Sequence, residues 1–413
     1  MRTVLNISKH DSIGRRFNNL DARPGFLAYG WDAKFACWTP RTQPEEYVQQ
    51  AGSSLTRNLT QSLSRLGRST GNINGYYRNA AAITDLDFYR SSDLLHFQIV
   101  HEEYLSIQDW IKIAANKPLV WTWHDPYMLS GHCIYSMDCT GFESGCVRCP
   151  NLHYHFPIKR DRSLRNLEEK LRVVKKLDPM VIVASEYMRE LVSRSVYEGH
   201  IRIKVLPFGV EMASGLTQSQ AKQALGIPVQ NIVVGFRAVY SEYKGMSLIL
   251  AALRRLSARY PGLPLTIIAF QETGCCTGLS SQYQVIDTGW IDDSKIEQYY
   301  SAMDYFLMPS KAEAFGLMAI EAMAAGAMPI VTIGTALPSL VGAPMYGLCS
   351  EHTDNAFADI VESAVFCVKR SALRRTDRQL FAHEKYSMDK FCKKISEIYD
   401  EEIEYSYNLR RTP

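Results

Sequence analysis

The strongest constraint on this chain is a repeated alternation of short apolar runs with longer segments of helical character. Apolar runs occur at 3–7, 33–38, 94–100, 119–123 and 180–184, and residues 164–177 have helical spacing. Residues 45–79 are polar, with arginines at 57, 65, 68 and 78, and read as a surface helix or mobile loop. A strand-like run at 205–210 contains Pro207 and Gly209 and reads as an interdomain hinge. Beyond it the alternation restarts, predicting strands at 232–236, 265–270, 285–286, 305–308 and 329–332, with helices at 246–259, 294–302 and 317–325. Strands alternating with helices predict an α/β chain of parallel sheets covered on both faces. The predicted division is 1–207, 208–384 and a helical tail over 385–413 that packs back on the first domain.

Composition narrows the function. With 413 residues, 46% hydrophobic and 22% charged, the chain has material for more than one core, and disorder is excluded. A formal charge of +3 is too small to support a nucleic-acid partner. No run of eighteen uncharged apolar residues occurs, and the first residues lack the apolar region of a secretory signal. A cytoplasmic chain is expected.

The stretch most suggestive of chemistry is 309–326. A predicted strand ends at Pro309, a polar loop carries Glu313, and a helix begins near Gly316. A helix N-terminus offers backbone N–H groups to an anion, and a glycine lets a phosphate approach without a Cβ in the way. Glu313 lies before that terminus and Glu321 more than a turn beyond it, which suits a diphosphate between two hydroxyl-rich ends. Arg237 follows the strand at 232–236, and Lys244 precedes the next helix. An arginine binds phosphate as a planar fork and a lysine as a point charge.

Cys133, Cys139, Cys146 and Cys149 fall within seventeen residues, inside a cysteine-rich loop at 131–150. The final Cys-x-x-Cys has metal-ligand spacing, so a closed, structural four-thiolate zinc site is expected, with unligated thiols or disulfides as alternatives.

Several of these motifs together resemble the retaining glycosyltransferase family 4, which has the GT-B fold of two facing Rossmann-like domains. Leu206-Pro207-Phe208-Gly209-Val210 resembles the family's "PNGV" segment, with Phe208 in place of Asn. Phe236-Arg237 with Tyr243-Lys244-Gly245 resembles "GR...KG", and Thr288-Gly289-Trp290-Ile291 resembles its "GW/V" strand. Glu313 and Glu321, with seven residues between, resemble the signature glutamate pair. Trp121-Thr122-Trp123-His124-Asp125 resembles "T.HD", and Ser185 its "SE" element, although a helix N-cap explains that serine nearly as well. A subset of polysaccharide-assembly members shares the cysteine pattern.

The resemblance implies a retaining, metal-independent transfer of a sugar from a UDP- or GDP-sugar to a glycan or lipid-linked oligosaccharide. The expected setting is surface-polysaccharide or O-antigen (lipopolysaccharide) synthesis, with peripheral contact at the inner membrane face. It implies that His124, Arg237, Lys244 and Glu313 serve catalysis, and that Phe315, Gly316, Leu317, Glu321 and Ile291 hold the donor. Gly14, Arg15, Arg16 and Ser185 are implied on the acceptor side, with Ile13 replacing one of two usual glycines. Trp121, Trp123 and Trp290 are expected to pack. A non-catalytic nucleotide-sugar-binding subunit and a nucleotide-sugar epimerase are the alternatives.

Overall fold

The structure, a computed structural model, describes residues 1–10, 19–40, 45–154, 156–211, 215–366 and 375–411. It has two compact units, one of Met1–Gly209 with Met388–Pro413 and one of Val210–Ser387.

In the first unit the described residues form one parallel sheet of β1 (Arg2–Ser8), β2 (Trp31–Cys37), β3 (Val48–Gln50), β4 (Leu94–Phe97), β5 (Leu119–Trp123), β6 (Met180–Val183) and β7 (Arg202–Val205). Their spatial order is β3-β2-β1-β4-β5-β6-β7. The central strands β4 and β5 are buried at every residue. That is why they appear in the sequence as unbroken apolar runs rather than as alternation. Trp121 packs edge-on against Phe97, Trp110 and Trp123 at ring separations of 5.4, 5.1 and 6.4 Å.

β7 is different. Every one of its residues is only half-buried, and its sequence Arg-Ile-Lys-Val carries charge, as edge strands often do. It lies before the apolar run at 205–210 that was expected to form the strand. Its Arg202 reaches Glu402 at 2.7 and 3.0 Å, on the helix Met388–Arg411. The same helix buries Phe391, Cys392 and Tyr399 in this unit, with Tyr399 edge-on to Trp31 at 5.1 Å. The polar segment 45–79 supplies both the short strand β3 and the helix Ser54–Thr70, which Ser53 caps by accepting from the Thr56 amide.

The second unit contains a parallel sheet of β8 (Ile232–Ala238), β9 (Leu265–Gln271), β10 (Gln284–Gly289), β11 (Tyr305–Met308), β12 (Met328–Thr332) and β13 (Leu348–Ser350). Its order is β10-β9-β8-β11-β12-β13. From β8 the chain builds outward first through β9 and β10, then returns to the other side with β11. The order therefore reverses between β8 and β11, and in open α/β sheets ligands bind beyond the carboxyl ends of the strands at such a point.

The helix Leu317–Ala324, which follows β11, is held firmly at its far end. Gly326 turns the chain with φ +96°, and the buried Arg378 donates to its carbonyl through Nε and Nη2 at 3.0 and 2.8 Å. Arg375 donates to the Ala325 carbonyl at 2.6 Å. Two cations thus satisfy carbonyls at the negative end of the helix dipole and fix its axis.

Candidate active site

Two loops meet at the β8/β11 switch point. The loop after β8 carries Tyr243, Lys244 and Gly245, and the loop after β11 carries Lys311 and Glu313. The Lys311 amide donates to the Tyr243 carbonyl at 2.8 Å, and a Cβ on Gly245 would lie 2.0 Å from the Pro309 carbonyl oxygen. Only a glycine permits that approach. Across the junction Lys244 Nζ stands 2.7 Å from Glu313 Oε2, with side chains 21% and 12% exposed. A partly desolvated ion pair at a switch point is a place where charge can be exchanged for a charged ligand.

Gly316 is the N-cap of Leu317–Ala324, with φ +88° and ψ +55°. A Cβ there would lie 2.3 Å from Leu337 Cδ2 and 3.4 Å from Glu313 Cγ. The glycine is therefore required both by the left-handed turn and by packing, and it brings Glu313 close to the start of the helix. Phe315 and Leu317 are buried, and Phe315 meets Tyr386 edge-on at 6.0 Å.

Glu321 is also buried, and Tyr300 Oη donates to its Oε2 at 3.0 Å. This positions the second glutamate from a neighbouring helix, which the sequence spacing did not reveal. Arg237 is exposed near the end of β8, and its Nε donates to Gln271 Oε1 at 2.6 Å, near the end of β9. Ile291 is half-buried just beyond β10. The indole of Trp290 is 78% exposed, whereas Trp121 and Trp123 are buried, so the packing expectation holds for those two and fails for Trp290. Its position explains the difference: Trp290 follows β10, the outermost strand of this sheet among the described residues.

In the first unit His124 follows β5, is 8% exposed, and stacks on Phe208 at 5.2 Å between ring centres. Its Nε2 lies 2.8 Å from Gln98 Oε1. The Gln98 amide nitrogen donates to Asn6 Oδ1 at 2.9 Å, leaving its oxygen to accept from His124 Nε2–H. His96 extends the network to Tyr399 Oη and Thr122 Oγ1, both at 2.7 Å. Burial drives the His124 pKa down to about 3 against the partial opposition of Asp125, so the ring is neutral at pH 7. It can accept or donate a hydrogen bond there, but it does not bring a positive charge. Asn6, His96 and Gln98 were not legible as site residues, because each lies inside or at the end of an apolar run.

Ser185 caps the helix Glu186–Ser193, its Oγ accepting from the Met188 amide at 3.2 Å, and its side chain is 1% exposed. This is the N-cap role that the sequence offered beside the acceptor-side one. Gly14, Arg15 and Arg16 lie outside the described residues.

The four clustered cysteines are free thiols that line one small cavity together with His132. His132 Nε2 stands 3.2 Å from Cys149 Sγ, which donates to the Asn151 carbonyl at 3.3 Å, while Cys139 Sγ accepts from the Gly141 amide at 3.3 Å. Burial raises the Cys133 and Cys149 pKa values and pushes the Cys146 thiol up to about 11. Among the described residues no group of three or more His, Cys, Asp or Glu side chains is arranged to hold a metal ion. The donor chemistry suits zinc, but the thiols as placed do not converge into the expected tetrahedral site, two of them being turned to local partners. Beneath them the buried Lys170 donates to the Tyr127 and Ser130 carbonyls at 2.7 and 2.9 Å, fixing the start of the loop.

Two Rossmann-like units, each an all-parallel sheet, with a charged switch point in the second, define an α/β chain of the GT-B glycosyltransferase fold. Residues 217–380 match the family model for glycosyl transferases group 1.

The putative colanic acid biosynthesis glycosyl transferase WcaC of Escherichia coli is 28% identical over 154 residues, which are 35% of this chain and 36% of that protein. The D-inositol 3-phosphate glycosyltransferase of Corynebacterium urealyticum is 26% identical over 223 residues, 49% of this chain and 52% of that protein. The chain thus spans between about a third and a half of the length of these two relatives. Among solved structures, a sucrose-phosphate synthase from Thermosynechococcus elongatus superposes with TM-score 0.69 at 17% identity, covering 97% of this chain and 99% of that one. HepE of Anabaena, in complex with UDP and glucose, superposes with TM-score 0.64 at 16% identity, covering 97% and 100%. Among the described residues no helix is long and apolar enough to cross a membrane.

Proposed function

We propose that this protein is a retaining glycosyltransferase that takes a sugar from a UDP- or GDP-sugar and transfers it to a hydroxyl of a glycan or lipid-linked oligosaccharide in surface-polysaccharide assembly. The observation that carries the reading is the Lys244–Glu313 ion pair at the β8/β11 switch point, beside a helix start kept open by Gly316. The group 1 match over the same segment and the UDP in the HepE structure support a nucleotide-sugar donor. The WcaC likeness supports the pathway.

In this reading the diphosphate lies against the helix start after Phe315. Lys244 moves from Glu313 to the phosphate, Arg237 adds a second cation, and the backbone of Phe315, Gly316 and Leu317 faces phosphate and sugar. Glu313, released from the lysine, accepts from sugar hydroxyls. Glu321, oriented by Tyr300, accepts from the ribose. Fixed cations and a helix dipole stabilise the charge that grows on the leaving phosphate, and no metal is needed for that electrostatic task. The phosphate oxygen that departs from the anomeric carbon takes the acceptor proton as the acceptor oxygen bonds on the same face, so configuration is kept. Neutral His124 offers a hydrogen bond on the first unit.

A structural zinc on Cys133, Cys139, Cys146 and Cys149 would require these thiols to turn from their local partners. Metal analysis of the purified protein decides it: stoichiometric zinc restores the site, and none ends it. The test of the main reading is incubation with UDP- and GDP-sugars and a lipid-linked acceptor, followed by mass spectrometry and proton NMR of the product. The expected result is nucleotide release with a heavier acceptor in the donor's anomeric configuration. Nucleotide binding without product, or an inverted product, would overturn it.

A further inference from the structure

The loop after β9 holds two adjacent cysteines whose thiols face each other. Cys275 Sγ stands 3.7 Å from Cys276 Sγ. Consecutive side chains of an extended chain point to opposite faces, so adjacency alone does not bring two thiols together. A turn does it here. The Thr277 amide donates to the Gly274 carbonyl at 3.3 Å, which makes Cys275 and Cys276 the two central residues of that turn. Both of its ends are anchored. Gly274, at φ +81°, donates its amide to Asp287 Oδ2 at 3.0 Å, and Thr277 Oγ1 donates to the Gly274 carbonyl at 2.7 Å. Beyond the turn the Leu279 amide donates to the Cys276 carbonyl at 2.8 Å.

The two thiols are unequal. Cys276 is 1% exposed and belongs to the core of the second unit with Leu279 and Tyr283, whereas Cys275 is half-buried against it. The hydrogen bond they share holds the Cys275 pKa below its ordinary value, against burial and the carboxylates of Asp287 and Glu272, and pushes the Cys276 thiol up. Cys275 is thus the reachable member with thiolate character, and Cys276 the sheltered one. Among the described residues no third His, Cys, Asp or Glu joins them in a group that could hold a metal ion. Two facing thiols with one reachable member suit thiol–disulfide exchange.

We propose that Cys275 and Cys276 are a reversible dithiol–disulfide site, oxidised by a small-molecule disulfide of the glutathione type. The Cys275 thiolate attacks one sulfur of the oxidant, the oxidant's S–S bond breaks, and half of it leaves as a thiolate that takes up a proton. Cys276 then gives up its proton and attacks the Cys275 sulfur of the mixed disulfide, expelling the second small thiol. The cysteines lose two electrons and two protons, and the oxidant becomes two thiols. Consecutive Cα atoms lie about 3.8 Å apart across a trans peptide, below the range of about 4.4–6.8 Å that disulfides ordinarily span. The closed form is therefore strained and readily reduced, which makes the site reversible. The proposal stands apart from the transferase reading, because oxidation is scored on the chain itself with neither donor nor acceptor.

The test equilibrates the reduced full chain with reduced and oxidised glutathione over a range of ratios, quenches it in acid, alkylates the remaining thiols and reads the digested peptides by mass spectrometry. The expected result is a peptide holding both cysteines that passes from doubly alkylated to unalkylated, lighter than its dithiol form by two hydrogens, and that dithiothreitol restores. Cys276→Ala removes the resolving thiol and should retain glutathione on Cys275 at least about tenfold more than the parent does. Cys275→Ala should leave the buried Cys276 unmodified. A parent peptide that stays doubly alkylated at every ratio would overturn the proposal. So would a parent that keeps glutathione on Cys275, or a disulfide that joins either residue to a different cysteine. These outcomes are read on the parent protein and do not depend on how well the variants fold.

Discussion

Replacing Gly316 by alanine tests the construction of the switch point directly. The residue sits at φ +88°, a left-handed conformation that costs a residue with a Cβ about 1–2 kcal/mol. The new methyl would lie 2.3 Å from Leu337 Cδ2, where carbons in contact prefer about 3.5–4.0 Å. Leu337 is fully buried and has no open side to move into. Overpacking of this kind costs about 1–3 kcal/mol, so the total is about 2–5 kcal/mol. In a unit of this size the loss appears as a fall of roughly 5–15 °C in its melting transition. A double-mutant cycle with Leu337→Ala separates the two contributions. The leucine truncation is destabilising alone, yet it removes the overlap, so the double variant should be more stable than additivity predicts by about 1–3 kcal/mol. Denaturant titration of the four proteins measures this. A Gly316→Ala protein that melts with the parent, or strictly additive single effects, would refute the steric argument.

Lys244→Ala should weaken UDP binding by about 10–150-fold, the worth of one hydrogen bond to a charged group, measured by calorimetry. Glu313→Gln should leave UDP affinity within about threefold while reducing transfer by at least about a hundredfold, because it releases the lysine but loses the acceptor for sugar hydroxyls. For His124 the folded pKa of about 3 lies below the unfolded 6.5. The unfolded state therefore binds more protons between these values, and stability present above pH 6.5 is lost as pH falls toward 3, by at most about 5 kcal/mol. His124→Gln should flatten that part of the pH–stability curve, followed by urea midpoints at fixed pH. Trp290→Ala should change stability by less than about 0.5 kcal/mol, since the indole is largely in water.

Much of the fold was legible because buried parallel strands leave unbroken apolar runs. The helix Met246–Arg259 and the strands β5 and β11 fall where periodicity placed them. β7 and β13 were displaced or missed for the opposite reason: both are half-buried strands with no apolar run to announce them. At the candidate site, residue types and order along the chain were readable, since a glycine at a helix start and a carboxylate in the preceding loop are local features.

The amino-acid sequence by itself determined the alternating α/β pattern, the positions of the central strands, and the presence of Lys244, Glu313, Gly316 and Glu321 in their loops and helix. Tertiary structure alone decided which of these meet. The strand order that reverses between β8 and β11 sets Lys244 against Glu313 across 69 residues, and Tyr300 beside Glu321 across 21. It likewise decided that His124 is neutral and that Leu55, Leu59 and Leu66 of the helix Ser54–Thr70 face outward. Periodicity records which residues are apolar along one segment, whereas desolvation, ion pairing and exposure depend on what other segments bring alongside it, and that information is not local.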